Sequence, residues 1–210
     1  HIKRTEYAME ALGVKPENLI IKISQMVTIK KGSETVKISK RSGDYITLQE
    51  IVREVGKDAC RYFFLSKSPN TQLIFDINLA KTQNSNNPIY YIQYAHARIS
   101  TLLKNAETLG IYIDKTDDFK IETQKEISLS KMLLEFPDVI VQISEELEPH
   151  HITKYTLDLA SEFHSYYQSE KIIDENNLNN TINKLILCKA IQKTLKKSLE
   201  IMMISAPEKM

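Results

Sequence analysis

Residues 89–109, IYYIQYAHARISTLLKNAETL, run for about six helical turns without glycine or proline. They are bounded by Pro88 and Gly110. Proline at a helix entry loses no hydrogen bond and brings a preset φ, while glycine just past the end accepts the left-handed geometry that closes a helix. The stretch therefore predicts one long α-helix with a start and a stop. The helical pattern continues beyond it. Periods fall at roughly 122–135, 138–148 and 150–172, with breaks at Pro137 and Pro149. An Asn-rich turn from Glu175 to Asn180 leads to a last helix, 181–203, carrying Leu185, Leu187, Ile191, Leu195 and Leu199. Residues 88–210 thus read as an all-α helical bundle.

Upstream the pattern is mixed. Residues 2–12 place Tyr7, Ala8, Ala11 and Leu12 on one side of a helix that stops at Gly13. Residues 18–30 are rich in β-branched side chains, and a tight turn over 31–34 precedes Thr35 and Val36: strand, turn, short strand. Thr47 and Glu50 form a capping box ahead of Ile51 and Val52, and a second short helix follows Gly56. Residues 72–76 read as extended, and Asn84 to Pro88 as a polar break. Residues 1–87 are an α/β piece, so the chain as a whole is mainly α.

With 42% hydrophobic and 26% charged residues, the 210-residue chain has the composition of a soluble globular protein. The net charge is +1, so any nucleic-acid site must come from local segregation of charge. Cys60 and Cys188 lie far apart, outside any zinc-ligand spacing, and read as two reduced, buried thiols of a cytoplasmic protein. No metal site is evident. No apolar run has the length of a membrane span.

Two constellations carry chemistry. The first is Lys37-Ile38-Ser39-Lys40-Arg41, followed by Ser42-Gly43-Asp44. It places three cations and a hydroxyl on one loop, a composition suited either to polyphosphate or to an ordinary solvated hairpin. The second lies on the long helix, where Tyr90, Tyr91, Tyr94, His96 and Arg98 interleave rings with cations. Tyr94 and Arg98 are four apart and share a face. Rings and arginine planes are how proteins hold unpaired bases. The same tyrosines suit a core that satisfies their hydroxyls, the reading preferred for Tyr90 and Tyr91, and His96 reads as a hydrogen-bonded structural histidine. Asp76 and Asn87 read as structural turn residues.

The pentamer resembles the KMSKS signature of class I aminoacyl-tRNA synthetases. More specifically, QMVTIKKGSETVKISKRSGDYITLQEIVREVGKDACRYFFL, FDINLAKTQNSNNPIYYIQYAHARI and the terminal ISAPEKM resemble arginyl-tRNA synthetase. Two positions depart from the signature: Ile38 replaces Met, and Arg41 replaces the last Ser. The HIGH motif of class I enzymes is absent, and His150-His151 is no substitute, since no glycine follows. With His1 lying inside a helical pattern, the chain reads as the carboxy-terminal portion of a longer enzyme: the end of a Rossmann-type catalytic domain (1–87), then an anticodon-binding domain (88–210). Alone it is expected to be inactive.

The resemblance implies ATP, arginine and tRNA(Arg) as partners, with Mg2+ arriving on ATP and no protein-bound metal, in a monomeric enzyme. Lys37 and Lys40 would be catalytic, and Ser39 and Arg41 would join them around ATP. Tyr94, Arg98, Tyr167 and Met210 would contact the anticodon. Lys189, Lys193, Lys196 and Lys197 suit RNA phosphate and a solvated helix face equally. A stand-alone helical RNA-binding or protein-interaction module is the alternative, and the sequence before His1 would separate the two. A cysteinyl enzyme is disfavoured by the QYAHAR and SAPEKM blocks.

Overall fold

The computed structural model describes residues 1–32, 34, 35, 46–113 and 119–210. The basic loop with Lys37, Ser39, Lys40 and Arg41 lies outside the described residues.

The first helix, α1 (Ile2–Ala11), ends at Leu12, with Gly13 at φ 81°. Its expected apolar side stays open: Tyr7 and Leu12 are exposed, and among the described residues α1 packs only on a 3-10 turn at Pro16–Asn18. An apolar stripe is buried only where another element presents a matching face. The strand expected over 18–30 shortens to β1 (Val27–Lys31). Residues 19–26 form no ladder; Leu19 has extended backbone, and Gln25 donates its N–H to the Pro69 carbonyl at 2.8 Å. β-propensity supplies extended backbone, whereas a ladder needs a facing edge, and only Val27 to Lys30 have one on that side. They pair in parallel with β3 (Leu73–Asp76), while Lys30 and Lys31 pair antiparallel with β2 (Glu34–Thr35). The sheet order is β2-β1-β3.

Among the described residues, two helices lie between β2 and β3 in the chain. In α2 (Leu48–Val55) the capping box closes both ways: Glu50 N–H reaches Thr47 Oγ1 at 3.2 Å, and Thr47 N–H reaches Glu50 Oε2 at 2.7 Å. The bond from Thr47 N–H, joined by one from the Thr47 hydroxyl to the same oxygen at 2.8 Å, holds the Glu50 carboxyl below the usual carboxylate range. Gly56, at φ 85°, turns the chain directly into α3 (Lys57–Leu65). Phe63 of α3 meets the fully buried Phe75 of β3 edge to face at 5.7 Å. A short α4 (Ile77–Lys81), absent from the sequence reading, starts at Asp76, whose carboxylate accepts the N–H groups of Asn78 and Leu79 at 2.9 and 3.1 Å. Buried Asn87 donates to the carbonyls of Ala80 and Thr82 at 3.1 and 2.9 Å, fixing the entry of the next helix. Both residues thus have turn roles.

The remainder is the helical bundle that the 89–109 stretch predicts: α5 (Pro88–Thr108), α6 (Gln124–Glu146), α7 (His150–Ser169) and α8 (Leu178–Ile201). α5 packs on α7 and α8, and α6 on α7 and α8. Ile92, Ile99, Leu129, Leu159, Phe163, Leu185, Ile191 and Leu195 are fully enclosed between them. Free Cys60 and Cys188 are buried, and burial pushes the Cys188 thiol up to about 12.

One boundary is corrected. Pro137 does not split α6, which passes through it as one helix. The ring removes one backbone bond and crowds the preceding turn. Pro137 is on the exposed side, where water can reach the freed carbonyl, while Leu129, Met132, Phe136, Ile140 and Ile143 keep one continuous stripe against the core. Helix α6 opens with a second capping box, Thr123 and Glu126.

After α8, Met203 turns through φ 56° and the tail runs back along α5. Gln93 Nε2 donates to Ser205 O at 3.0 Å, His96 meets Pro207 O at 2.8 Å, and Lys104 pairs with Glu208 at 2.7 Å. Asp58 of α3 accepts from both the N–H and the hydroxyl of Ser205.

Candidate nucleic-acid interface

Helix α5 presents Tyr90, Tyr94 and Arg98 one turn apart, and α7 faces it with His164 and Tyr167, three apart and hence on one side. The guanidinium of Arg98 lies between two rings, its central carbon 4.5 Å from the Tyr94 centroid and 4.8 Å from that of Tyr167. Arginine suits this position because its plane can stack while its fork still donates. One nitrogen donates to Tyr94 Oη at 2.9 Å and the other to His164 Nδ1 at 3.2 Å.

The state of His164 follows from its partners. Nε2 lies 3.2 Å from the Tyr91 carbonyl, which only an N–H can satisfy, so Nδ1 is the lone-pair nitrogen facing Arg98. Burial pushes the His164 pKa below its ordinary value and Arg98 acts in the same direction, while the Tyr91 carbonyl pulls it up. A neutral imidazole thus holds the arginine. The Tyr90 and Tyr94 rings stack at 6.2 Å and 10°.

Around this stack the surface is concave. A cleft of about 510 Å3 is lined by Tyr94, Arg98, Thr101, Asn105, Tyr167 and Met210, among others. A second, of about 370 Å3, lies against Tyr90, Tyr91, Tyr94, Arg98 and His164, so Tyr94 and Arg98 line both. Flat rings, a guanidinium and amide groups around an open cleft are the groups on which unpaired bases stack and pair.

The fold therefore brings Tyr94, Arg98, Tyr167 and Met210 to one cleft, although they come from α5, α7 and the tail. Tyr166 points the other way, fully buried, and donates to Glu126 Oε1 at 2.9 Å. Buried His96 binds the tail carbonyl, in keeping with a structural histidine. Tyr91 packs against the core. Lys189, Lys193, Lys196 and Lys197 are exposed on α8; Lys197 pairs with Glu200 at 3.6 Å, and Lys196 contributes to the field at Glu208. The sequence reading missed the positioning role of His164 and the polar lining of Thr101 and Asn105. The signal for His164 was its place three residues before Tyr167.

Comparison with known proteins gives the chain a family. Residues 92–210 match the family described as the DALR anticodon binding domain, and the chain belongs to that family. Its relatives include arginine–tRNA ligases. That of Geobacillus kaustophilus is 45% identical over the whole chain, which spans 38% of the relative's length. A solved Campylobacter jejuni protein assigned as an arginyl-tRNA synthetase superposes over 100% of the chain and 45% of its own, with TM-score 0.86 and 34% identity. Thermus thermophilus arginyl-tRNA synthetase covers 81% of the chain and 29% of its own, with TM-score 0.62 and 27% identity.

Proposed function

We propose that this chain is the part of an arginyl-tRNA synthetase that reads the tRNA(Arg) anticodon and supplies the pyrophosphate side of the ATP site. The observation that carries the reading is the cleft where Arg98 lies between Tyr94 and Tyr167 beside Met210. It offers faces for bases and a cation for phosphate or a base edge. Residues 88–210 form the anticodon-binding unit, and 1–87 the end of the catalytic unit.

The reaction proposed for the whole protein, in the cytoplasm, has two steps. The arginine carboxylate attacks the α-phosphorus of ATP, giving arginyl-adenylate and pyrophosphate. A ribose hydroxyl at the end of tRNA(Arg) then takes the arginyl group and AMP leaves. Negative charge grows on the departing pyrophosphate, so Lys37 and Lys40, with Ser39 and Arg41 beside them, stabilise the transition state more than the ground state. Mg2+ enters on the ATP phosphates.

The two halves are tested separately in the full-length protein. Lys40→Ala should abolish most ATP–pyrophosphate exchange at saturating tRNA while leaving the Kd for tRNA unchanged. Removing residues 208–210 should raise KM for tRNA and spare exchange at saturating tRNA. An unchanged exchange rate in the first would remove the catalytic role of Lys40; equal loss of both activities in the second would reduce the tail to a folding element.

A further inference from the structure

Helix α6 ends and α7 begins within four residues, and the turn between them gathers ligand atoms that play no part in the proposed RNA or ATP sites. Glu148 Oε2 lies 3.6 Å from His150 Nδ1 and 4.0 Å from His151 Nε2. All three ligand atoms fall within 4.8 Å of one another. A fourth group, Glu146 Oε2, is 3.1 Å from His151 Nε2.

These separations can be compared with what an ion requires. Four ligands at roughly 2.0–2.1 Å around a tetrahedral cation lie about 3.3–3.4 Å apart. The distances at Glu148, 3.6 and 4.0 Å, exceed that by roughly a quarter and two-thirds of an ångström, within reach of side-chain rotations. Two imidazoles with carboxylates suit zinc and its borderline neighbours rather than magnesium or calcium, which take all-oxygen shells.

A second observation concerns His150. Its Nδ1 is enclosed by protein yet has no hydrogen-bond partner, one of three such side-chain atoms among the described residues. A buried ring nitrogen without a partner forfeits the solvation it had in water, and a cation would use that lone pair. The backbone holds the group in place: Leu147 is left-handed at φ 55°, and Pro149 fixes the step into α7. Lys22 takes the other side of the turn, reaching the Glu146 carbonyl at 2.7 Å and Glu148 Oε1 at 3.8 Å, which leaves Oε2 facing the imidazoles.

We propose that Glu148, His150 and His151 form a zinc-class divalent-metal site, with Glu146 or water as fourth ligand, that staples the α6–α7 turn. The sequence reading expected no protein-bound metal. It looked for cysteine–histidine spacings and dismissed the histidine pair as a nucleotide motif.

The test is titration of metal-free full chain with ZnCl2 by calorimetry, with MgCl2 as the contrasting arm, and with CoCl2 to read the visible bands of a tetrahedral site. The expected result is saturable one-to-one zinc binding, no comparable magnesium binding, and a Tm raised by zinc. His150→Ala and His151→Ala should each weaken zinc by about tenfold or more. Glu148→Gln, nearly isosteric, should do the same and decides the matter if an alanine variant misfolds by circular dichroism. Absence of saturable zinc binding, or folded variants that bind like the parent, would overturn the site.

Discussion

Replacing Arg98 by lysine keeps the charge and removes the plane. In the native site the guanidinium is stacked between Tyr94 and Tyr167 and donates to Tyr94 Oη and His164 Nδ1. Each ring contact contributes about 0.5–1 kcal/mol at a partly exposed position. A hydrogen bond from a charged donor adds about 1.5–3 kcal/mol where it is fully formed. Lysine can keep one hydrogen bond but cannot lie flat against two rings, and water at this half-buried site repays part of the loss. A destabilisation of about 2 kcal/mol follows, a Tm drop of about 4–8 °C for a chain of this size. The consequence for RNA is separable because both side chains carry one positive charge. The slope of log K against log salt, which counts neutralised phosphates, should not change. The stacking contribution should fall, raising the Kd for tRNA(Arg) about tenfold, or about 1.4 kcal/mol. Fluorescence titration of the full-length variant at several salt concentrations, at a temperature where it is fully folded, measures both quantities. An unchanged Kd beside the expected Tm drop would refute the cleft as the RNA site, and an unchanged Tm would refute the energetic account of the stack.

Further outcomes follow from other contacts. Pro137→Ala should stabilise the chain by about 1–3 kcal/mol, because α6 already runs through the proline and alanine restores its backbone bond; a denaturation midpoint at or below the parent's would contradict this. Tyr166→Phe leaves buried Glu126 Oε1 without its donor, although Oε2 keeps the N–H groups of Glu122 and Thr123, and should cost about 1–3 kcal/mol by urea unfolding. His164 has a folded pKa below its ordinary value of about 6.5. Between the two values the unfolded chain binds the extra proton, so this contribution to stability is complete above about pH 6.5 and is lost as pH falls toward the folded pKa. Protonation would also remove the acceptor for Arg98 and place a second cation beside it, so the Tm decline from pH 7.5 to 5.5 should be shallower in His164→Gln.

The helical bundle was legible because α5 carries its own punctuation, Pro88 and Gly110, and α2 was legible because Thr47 and Glu50 write a capping box in four letters. The errors have physical causes. The break expected at Pro137 weighed a local penalty of about 3 kcal/mol without the stripe of Leu129, Met132, Phe136 and Ile140 that holds both halves of α6 on one core. The strand expected over 18–30 forms a ladder only at Val27–Lys31, since pairing depends on a partner far along the chain. Helix α4 was missed because five residues hold little periodicity, although the side chain of Asp76 caps it. At the candidate site, the i, i+4 spacing was enough to pair Tyr94 with Arg98. That Tyr167 meets Arg98, that His164 holds it and that Met210 closes the cleft depend on how α7 and the tail pack on α5. The same holds for Glu148 and the histidine pair, which gain meaning only when a left-handed Leu147 folds the turn back on itself.

The account rests on the anticodon loop entering the cleft at Arg98. The most direct measurement is photo-crosslinking of tRNA(Arg) carrying a photoreactive uridine in the anticodon loop to the full-length protein, with the attached peptides mapped by mass spectrometry. The account predicts adducts at Tyr94, Tyr167 or Met210, suppressed by unlabelled tRNA(Arg). Adducts confined to other surfaces, such as the exposed lysines of α8, with those three residues unmodified, would contradict it.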